Sequence, residues 1–172
     1  MLSKNMEKAF SDQINAELFS SYLYLSMASH FTHTNLNGFA NWMSIQVKEE
    51  NAHGMMMFNF VHERGGKVAL KAIDMPESEW KNPIEVFEAT LAHEQKVTGL
   101  INNLLDLALQ EKDHASANFL QWFIKEQVEE EANATSILEQ LKIVEGKGHG
   151  VLLLDRELQT RVFVDPLLTA NA

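Results

Sequence analysis

In the stretch KEENAHGMMMF, residues 48–58, Glu50 and His53 stand three positions apart. On a helix that spacing puts a carboxylate and an imidazole one turn apart on one face, where two side chains can grip one cation. E-x-x-H recurs by chance on many helices, so its meaning depends on where the pair points. On a solvated face it is an ordinary ion pair. On a buried stripe it is costly unless something compensates the charge.

Hydrophobic periodicity decides the direction. Apolar residues at alternating spacings of four and three mark the inward stripe of a bundle helix, and four such stripes run through the chain. They are Phe10, Ile14, Glu17, Ser21, Tyr24, Ala28, Phe31; Phe39, Met43, Gln46, Glu50, His53, Met57, Phe60; Ile84, Phe87, Leu91, Glu94, Thr98, Ile101, Leu105, Ala108; and Leu120, Phe123, Gln127, Glu130, Ala134, Ile137, Leu141, Val144. Each is apolar at both ends and polar in its middle. Glu17, Glu50, His53, Glu94, Gln127 and Glu130 therefore share one level of the predicted core, a severe destabilisation unless bound cations neutralise them. The four carboxylates of Glu17, Glu50, Glu94 and Glu130 balance two divalent ions, with Glu50 free to bridge. Carboxylate-rich ligation with one imidazole favours iron, with manganese and zinc also compatible, and open positions on each metal admit oxygen.

The elements that position these groups follow from the same pattern. Glu17 and Glu50 are spaced as Glu94 and Gln127 are, and one constant offset maps Glu17 onto Glu94, Glu49 onto Glu126 and His53 onto Glu130. Trp42 and Phe119, Met43 and Leu120, and Val47 and Ile124 obey it too, which reads as a duplicated helix pair. THTNLNG and QEKDHA are short links and predict antiparallel hairpins. Residues 65–83 between the pairs are long enough to run the length of a helix of ~28 residues, ~42 Å. That crossover makes the second and third helices parallel. EGKGHG reads as a helix stop, and VLLLDRELQTRVF as a short fifth helix whose apolar side needs a partner, for which another subunit is a candidate. The expected organisation is all-α and a single domain over 1–172: a four-helix bundle over 1–145, a hinge at 146–150, and a C-terminal helix and tail over 151–172.

Composition narrows the function classes. The chain has 172 residues, 45% of them hydrophobic, and a net charge of −10. That charge disfavours nucleic acid and anionic membranes as partners and favours cations. The absence of cysteine excludes disulfides, iron–sulfur clusters and thiolate zinc sites. MLSKNMEKAF lacks the apolar core of a secretion signal, and no run approaches the ~20 apolar residues of a membrane span, so a cytoplasmic location is expected.

These motifs carry a resemblance that covers nearly the whole chain. NAELFSSYLYLSM, KEENAHGMMMF, AHEQKVTGLIN and FLQWFIKEQVEEE resemble, in order, the four helix motifs of bacterial-type non-haem ferritins. In di-iron carboxylate bundles two helices each give a Glu and two each give Glu-x-x-His; this chain keeps one half and has Gln127 and Glu130 in the other. The resemblance implies a ferritin-like fold and a homo-oligomeric shell of twenty-four subunits. Such a shell oxidises Fe(II) with O2 or H2O2 at an intra-subunit di-iron ferroxidase centre and stores the product as a ferric oxyhydroxide mineral. It places Glu17, Glu50 and His53 at a first iron position, and Glu50, Glu94 and Glu130 at a second, with Gln127 beside it. It also assigns Glu49, Glu126 and Glu129, with Glu130, to a third position; the spacing alone leaves a solvated acidic face open as the alternative. Tyr24, two turns after Glu17, is either a core tyrosine or a group that bonds a ligand or passes an electron.

Other features weigh little. Met55, Met56 and Met57 read as core and interface filler, and Trp122 as structural. Haem is disfavoured because Asn51 stands where haem-binding relatives have a methionine. His30, His33, His62, His93, His114 and His149 fall in loops or off the stripes and read mostly as surface residues, with a few as candidates to line iron entry routes. The rival expectations are a di-metal oxidase or peroxide scavenger without mineral storage, a DNA-protecting cage, for which the basic tail is missing, and a purely structural bundle.

Overall fold

The computed structural model describes residues 1–169; the last three residues of the tail assigned to 151–172 lie outside the described residues. Four long helices, α1 (Lys4–His33), α2 (Asn37–Glu63), α3 (Pro83–Gln110) and α4 (His114–Ile143), form the bundle, followed by α5 (Gly148–Leu158) and the four-residue α6 (Pro166–Thr169). No strand occurs among the described residues, and none of the helices is long and apolar enough to cross a membrane.

Local chemistry sets the helix ends. Ser3, Asn82 and Asp113 cap α1, α3 and α4 by accepting from the amides of Met6, Glu85 and Ser116, and Pro83 occupies the first turn of α3, where no amide hydrogen is needed. The four long helices all stop in the same way. One residue takes a left-handed conformation, Asn35, Gly65, Lys112 or Glu145, and the next amide bonds back to Phe31, Val61, Ala108 or Leu141. Asn35 maps onto Lys112 by the offset that maps Glu17 onto Glu94, so the duplication extends into the turns.

Helix α2 begins differently. Leu36 offers no side-chain cap; instead Asp155 of α5 accepts from the amides of Gly38 (2.8 Å) and Phe39 (3.0 Å). The two helices meet so closely that a Cβ on Gly38 would lie 1.5 Å from the Asp155 carbonyl oxygen. This answers the expectation for the fifth helix. Its apolar face, Val151, Leu154 and Leu158, is buried in the core of the same chain rather than waiting for another subunit. The helix also starts at Gly148, inside the hinge expected over 146–150, because Gly148 enters it with a positive φ that glycine tolerates.

The crossover 64–82 runs alongside α1. Ala69 N bonds Ser11 Oγ, Asn15 bonds the backbone of Lys71 and Ala72, Ser26 Oγ donates to Glu77 O, and the Trp80 ring packs on His30. The chain is thereby returned to the end where α2 began, and α2 and α3 run parallel as expected.

The core is split into two apolar clusters. One gathers Tyr24, Met27, Phe31, Phe39, Met43, Phe87 and Leu141 with α5; the other gathers Met6, Phe10, Ile14, Met57, Ile101, Leu120 and Phe123. Stripes one, two and four are inward as read from the sequence, apart from half-buried Phe60 and Val144. On α3 the register differs: Thr90, Val97 and Leu104 are buried where Leu91, Thr98 and Leu105 were expected, and these three are half-buried. Met56 and Met57 are core residues, whereas Met55 is exposed. Between the clusters lies the polar layer.

Candidate metal centre

All six residues expected in the polar layer are buried there: Glu17, Glu50, His53, Glu94, Gln127 and Glu130 are each at most 5% exposed. Glu17, Glu50 and His53 each place one ligand atom within 4.8 Å of the others'. His53 Nδ1 lies 3.6 Å from Glu50 Oε2, and that oxygen has no hydrogen-bond partner. An unsatisfied acceptor in a dry core is costly unless a cation serves it.

Glu94 and Glu130 complete the layer from α3 and α4. Tyr24 donates its hydroxyl hydrogen to Glu94 Oε1. Gln127 Nε2 donates to Glu94 Oε2 and to the Glu94 carbonyl, both at 3.2 Å. Gln46 Nε2 donates to Glu130 Oε2 at 2.9 Å, and Gln13 Nε2 to Glu17 Oε1 at 2.8 Å. Glu17 and Glu130 thus each have one oxygen fixed by an amide and Glu94 has both oxygens fixed, by a hydroxyl and an amide, while Glu50 is left between them with Oε2 unpartnered.

The electrostatics are those of a site built for cations. Burial, then repulsion from Glu94, Glu17 and Glu130, pushes the Glu50 carboxyl far above the ordinary range. Burial raises Glu17 and Glu130 as well, and holds Glu94 up at about 7 despite the hydrogen bonds from Tyr24 and Gln127. Burial lowers His53 to about 4, keeping its imidazole neutral and able to coordinate. Tyr24, buried among these acids, is raised well above its usual value and stays protonated as a donor. Burial makes the layer retain protons to higher pH than free carboxylates do, protons that a cation bound there would displace.

The third expected group is arranged differently. Glu49 is mostly buried, Glu126 is half-buried and Glu129 is exposed. They line a cavity of about 370 Å³ with Trp122, Asn133 and Arg161. Burial, with repulsion from Glu129 and Glu49, raises Glu126 to about 7. Arg161 Nη2 bonds Glu49 Oε2 at 2.7 Å. Arg161 was given no role in the sequence, where it fell within the stretch VLLLDRELQTRVF read as the fifth helix; that helix ends at Leu158, and Arg161 lies in the irregular segment after it. Gln46 was visible on the stripe but, as an uncharged amide, was not given a role; Gln13, one turn before Glu17, lies off the stripe.

One minor expectation is revised. His93 is largely buried, not a surface histidine: its Nε2 lies 2.8 Å from Ser20 Oγ, its ring packs on Phe19 and Tyr24, and burial lowers it to about 4. Trp122 packs as the structural residue it was read as, its ring edge-on to that of His53 at 5.4 Å.

Known proteins share this architecture. Residues 7–144 match a family described as a ferritin-like domain. The chain is 40% identical over 161 residues to a bacterial non-heme ferritin of Bacteroides fragilis, covering 94% of this chain and 100% of the relative. It is 37% identical over 163 residues to one of Staphylococcus aureus, covering 95% and 98%. Among solved structures, an engineered closed form of the Archaeoglobus fulgidus ferritin is 50% identical with a TM-score of 0.94, covering 95% of this chain and all of that one. An open-pore ferritin from the same archaeon is 50% identical with a TM-score of 0.92, covering 94% and 100%.

Proposed function

The chain belongs to the ferritin family, and on that premise we propose that it is a ferroxidase that stores iron. The observation that carries the reading is the buried Glu17–Glu50–His53 cluster with its unsatisfied Glu50 oxygen. Fe(II) is the substrate. Glu17, Glu50 and His53 hold one ion, and Glu50, Glu94 and Glu130 the other, with Gln127 orienting Glu94. The charge of four carboxylates matches two divalent ions. Two ferrous ions held together supply the two electrons that take O2 to H2O2, or H2O2 to two waters. Dryness strengthens the attraction between the acids and the ions. Tyr24 keeps Glu94 oriented and stands where an electron could leave its ring.

Glu49, Glu126 and Glu129, with Glu130, form a third position through which oxidised iron leaves the pair. The product is kept as ferric oxyhydroxide inside a homo-oligomeric cage of twenty-four subunits in the cytoplasm, with neither nucleic acid nor membrane as partner. The relatives' identity over nearly their full length supports this part of the reading.

The test is iron loading in air at many ions per chain, followed by size-exclusion chromatography. Far more than three irons per chain in a particle of cage size are expected. Two or three per chain in a small species, with continued turnover, would mean a di-metal oxidase or peroxide scavenger without storage. Glu50→Ala and His53→Ala should abolish fast oxidation while the particle stays assembled; normal oxidation by either variant would overturn the site.

A further inference from the structure

After α5 the chain turns and lies against α2. Asn41 Nδ2 donates to the carbonyls of Leu158 and Arg161, at 3.2 and 3.1 Å. The Arg161 guanidinium lies over the Trp42 ring at 4.8 Å, and its two ends reach different acceptors: Nη1 donates to Gln46 Oε1 at 2.6 Å and Nη2 to Glu49 Oε2 at 2.7 Å. The first contact fixes the Gln46 amide so that its other end, Nε2, donates to Glu130 Oε2. One arginine therefore touches an acid of the third position directly and, through Gln46, an acid of the buried pair.

A second observation ties the acids beside Arg161 to the buried cluster. His53 Nε2, buried and without a hydrogen-bond partner, faces away from Glu50 and lies 3.9 Å from Glu126 Oε1. Glu49, Glu126 and Glu129 present three carboxylates to a single guanidinium in a cavity of about 370 Å³. Arginine keeps its charge at any working pH and grips a carboxylate through a planar fork, so it cannot release Glu49 by losing a proton. A competing cation, or a movement of the tail, frees that carboxylate while it is ionised.

We propose that Arg161 is a positioning residue that stands in for a metal ion at the third position, so that an ion binding Glu49, Glu126 and Glu129 displaces its guanidinium and, through Gln46, loosens the hold on Glu130. The proposal rests on the third position taking a metal ion, as in the reading above. Because the guanidinium and the ion compete for Glu49, the position binds its ion more weakly than the acids alone would. It is thereby suited to transit rather than retention. The link to Glu130 makes its occupancy felt at the pair.

The test is calorimetric titration of the full-length, metal-free, assembled protein with zinc, a redox-inert stand-in for Fe(II), in the wild type, R161Q, R161K, E126Q and the R161Q/E126Q double variant. Zinc affinity at the third position should rise roughly 5- to 150-fold in R161Q, the range typical of coupling between two binding events. R161K, which keeps the charge but not the two-ended fork, should rise less than R161Q. E126Q should weaken or remove the same event in both backgrounds, and the event at Glu17, Glu50 and His53 should keep its affinity. A third event that is unchanged in R161Q yet lost in E126Q would overturn the role of Arg161 and leave the third position standing. A third event indifferent to E126Q, or absent in every variant, would overturn the third position and the inference with it. If R161Q does not assemble, R161M, whose unbranched stem still packs on Trp42, takes its place with the same expected outcomes.

Discussion

Replacing Glu94 by glutamine should stabilise the metal-free protein at pH 8 while weakening its response to metal. Glu94 is 1% exposed, and burial raises its carboxyl from 4.5 to about 7. Between those values the folded protein keeps a proton that the unfolded chain has released, and where the folded state holds more protons, stability falls as pH rises. At pH 8 the group is ionised in both states and the whole cost, about 3 kcal/mol, is present. Glutamine removes the charge and keeps an oxygen for the Tyr24 hydroxyl, but its amide nitrogen replaces the oxygen that accepts from Gln127 Nε2, which takes back about 1 kcal/mol. For a chain of this size the remaining gain of about 2 kcal/mol corresponds to a rise of roughly 4–8 °C in Tm, shrinking as the pH is lowered to about 4.5. The assay is thermal unfolding at fixed chain concentration with a chelator, at pH 5 and pH 8, then with zinc in place of the chelator. Zinc should raise the wild type more than E94Q, which lacks one ligand. An E94Q protein that melts at or below the wild type at pH 8 without metal would refute the claim that the polar layer is strained by its own acids.

Tyr24→Phe removes the hydroxyl that donates to Glu94; it should cost about 1–2 kcal/mol, seen in urea unfolding, and push the Glu94 carboxyl further up, so that ferrous oxidation at pH 6 falls more than at pH 8. Asp155→Ala leaves the amides of Gly38 and Phe39 without their partner. It should cost about 1–2 kcal/mol, with D155N recovering part because it keeps one acceptor oxygen. Gly38→Ala drives a methyl into the Asp155 carbonyl and should cost about 3 kcal/mol. Limited trypsin digestion should then cut at Arg156, which the docked helix protects in the wild type.

The bundle was legible wherever one residue per turn stood out from its neighbours. Phe39, Met43 and Met57 left no doubt about the inward face of α2, and Glu50 and His53 were conspicuous because they interrupted it. On α3 the pattern is degenerate: Thr90 and Leu91, Val97 and Thr98, Leu104 and Leu105 offer two adjacent residues of similar suitability, and packing against α1 and α4 chose the first of each. The carboxylates and histidine of the centre could be read because charge in a core is conspicuous. The amides that orient them, Gln13 and Gln46, could not, since glutamine suits core and surface alike. Arg161 follows no helical period and reaches Glu49 across more than a hundred residues of chain, 112 positions apart. The docking of α5 was equally hidden, because an amphipathic helix reveals that it needs cover but not what supplies it.

The bond from Asp155 to the start of α2 joins residues 117 positions apart, and this has a consequence for how the protein is made. A ribosome releases α2 long before α5, so the first turn of α2 leaves the tunnel without its acceptor and with Phe39 lacking the cover of Val151 and Leu154. Helices α1 to α4 are then able to pair, yet one end of their core stays open to chaperones and proteases until the final helix is translated and docks. A chain broken off shortly after α4 would carry every side chain proposed to hold iron and still present a greasy, uncapped corner to the cell's degradation machinery. Completion of the polypeptide is thereby made a condition of its survival.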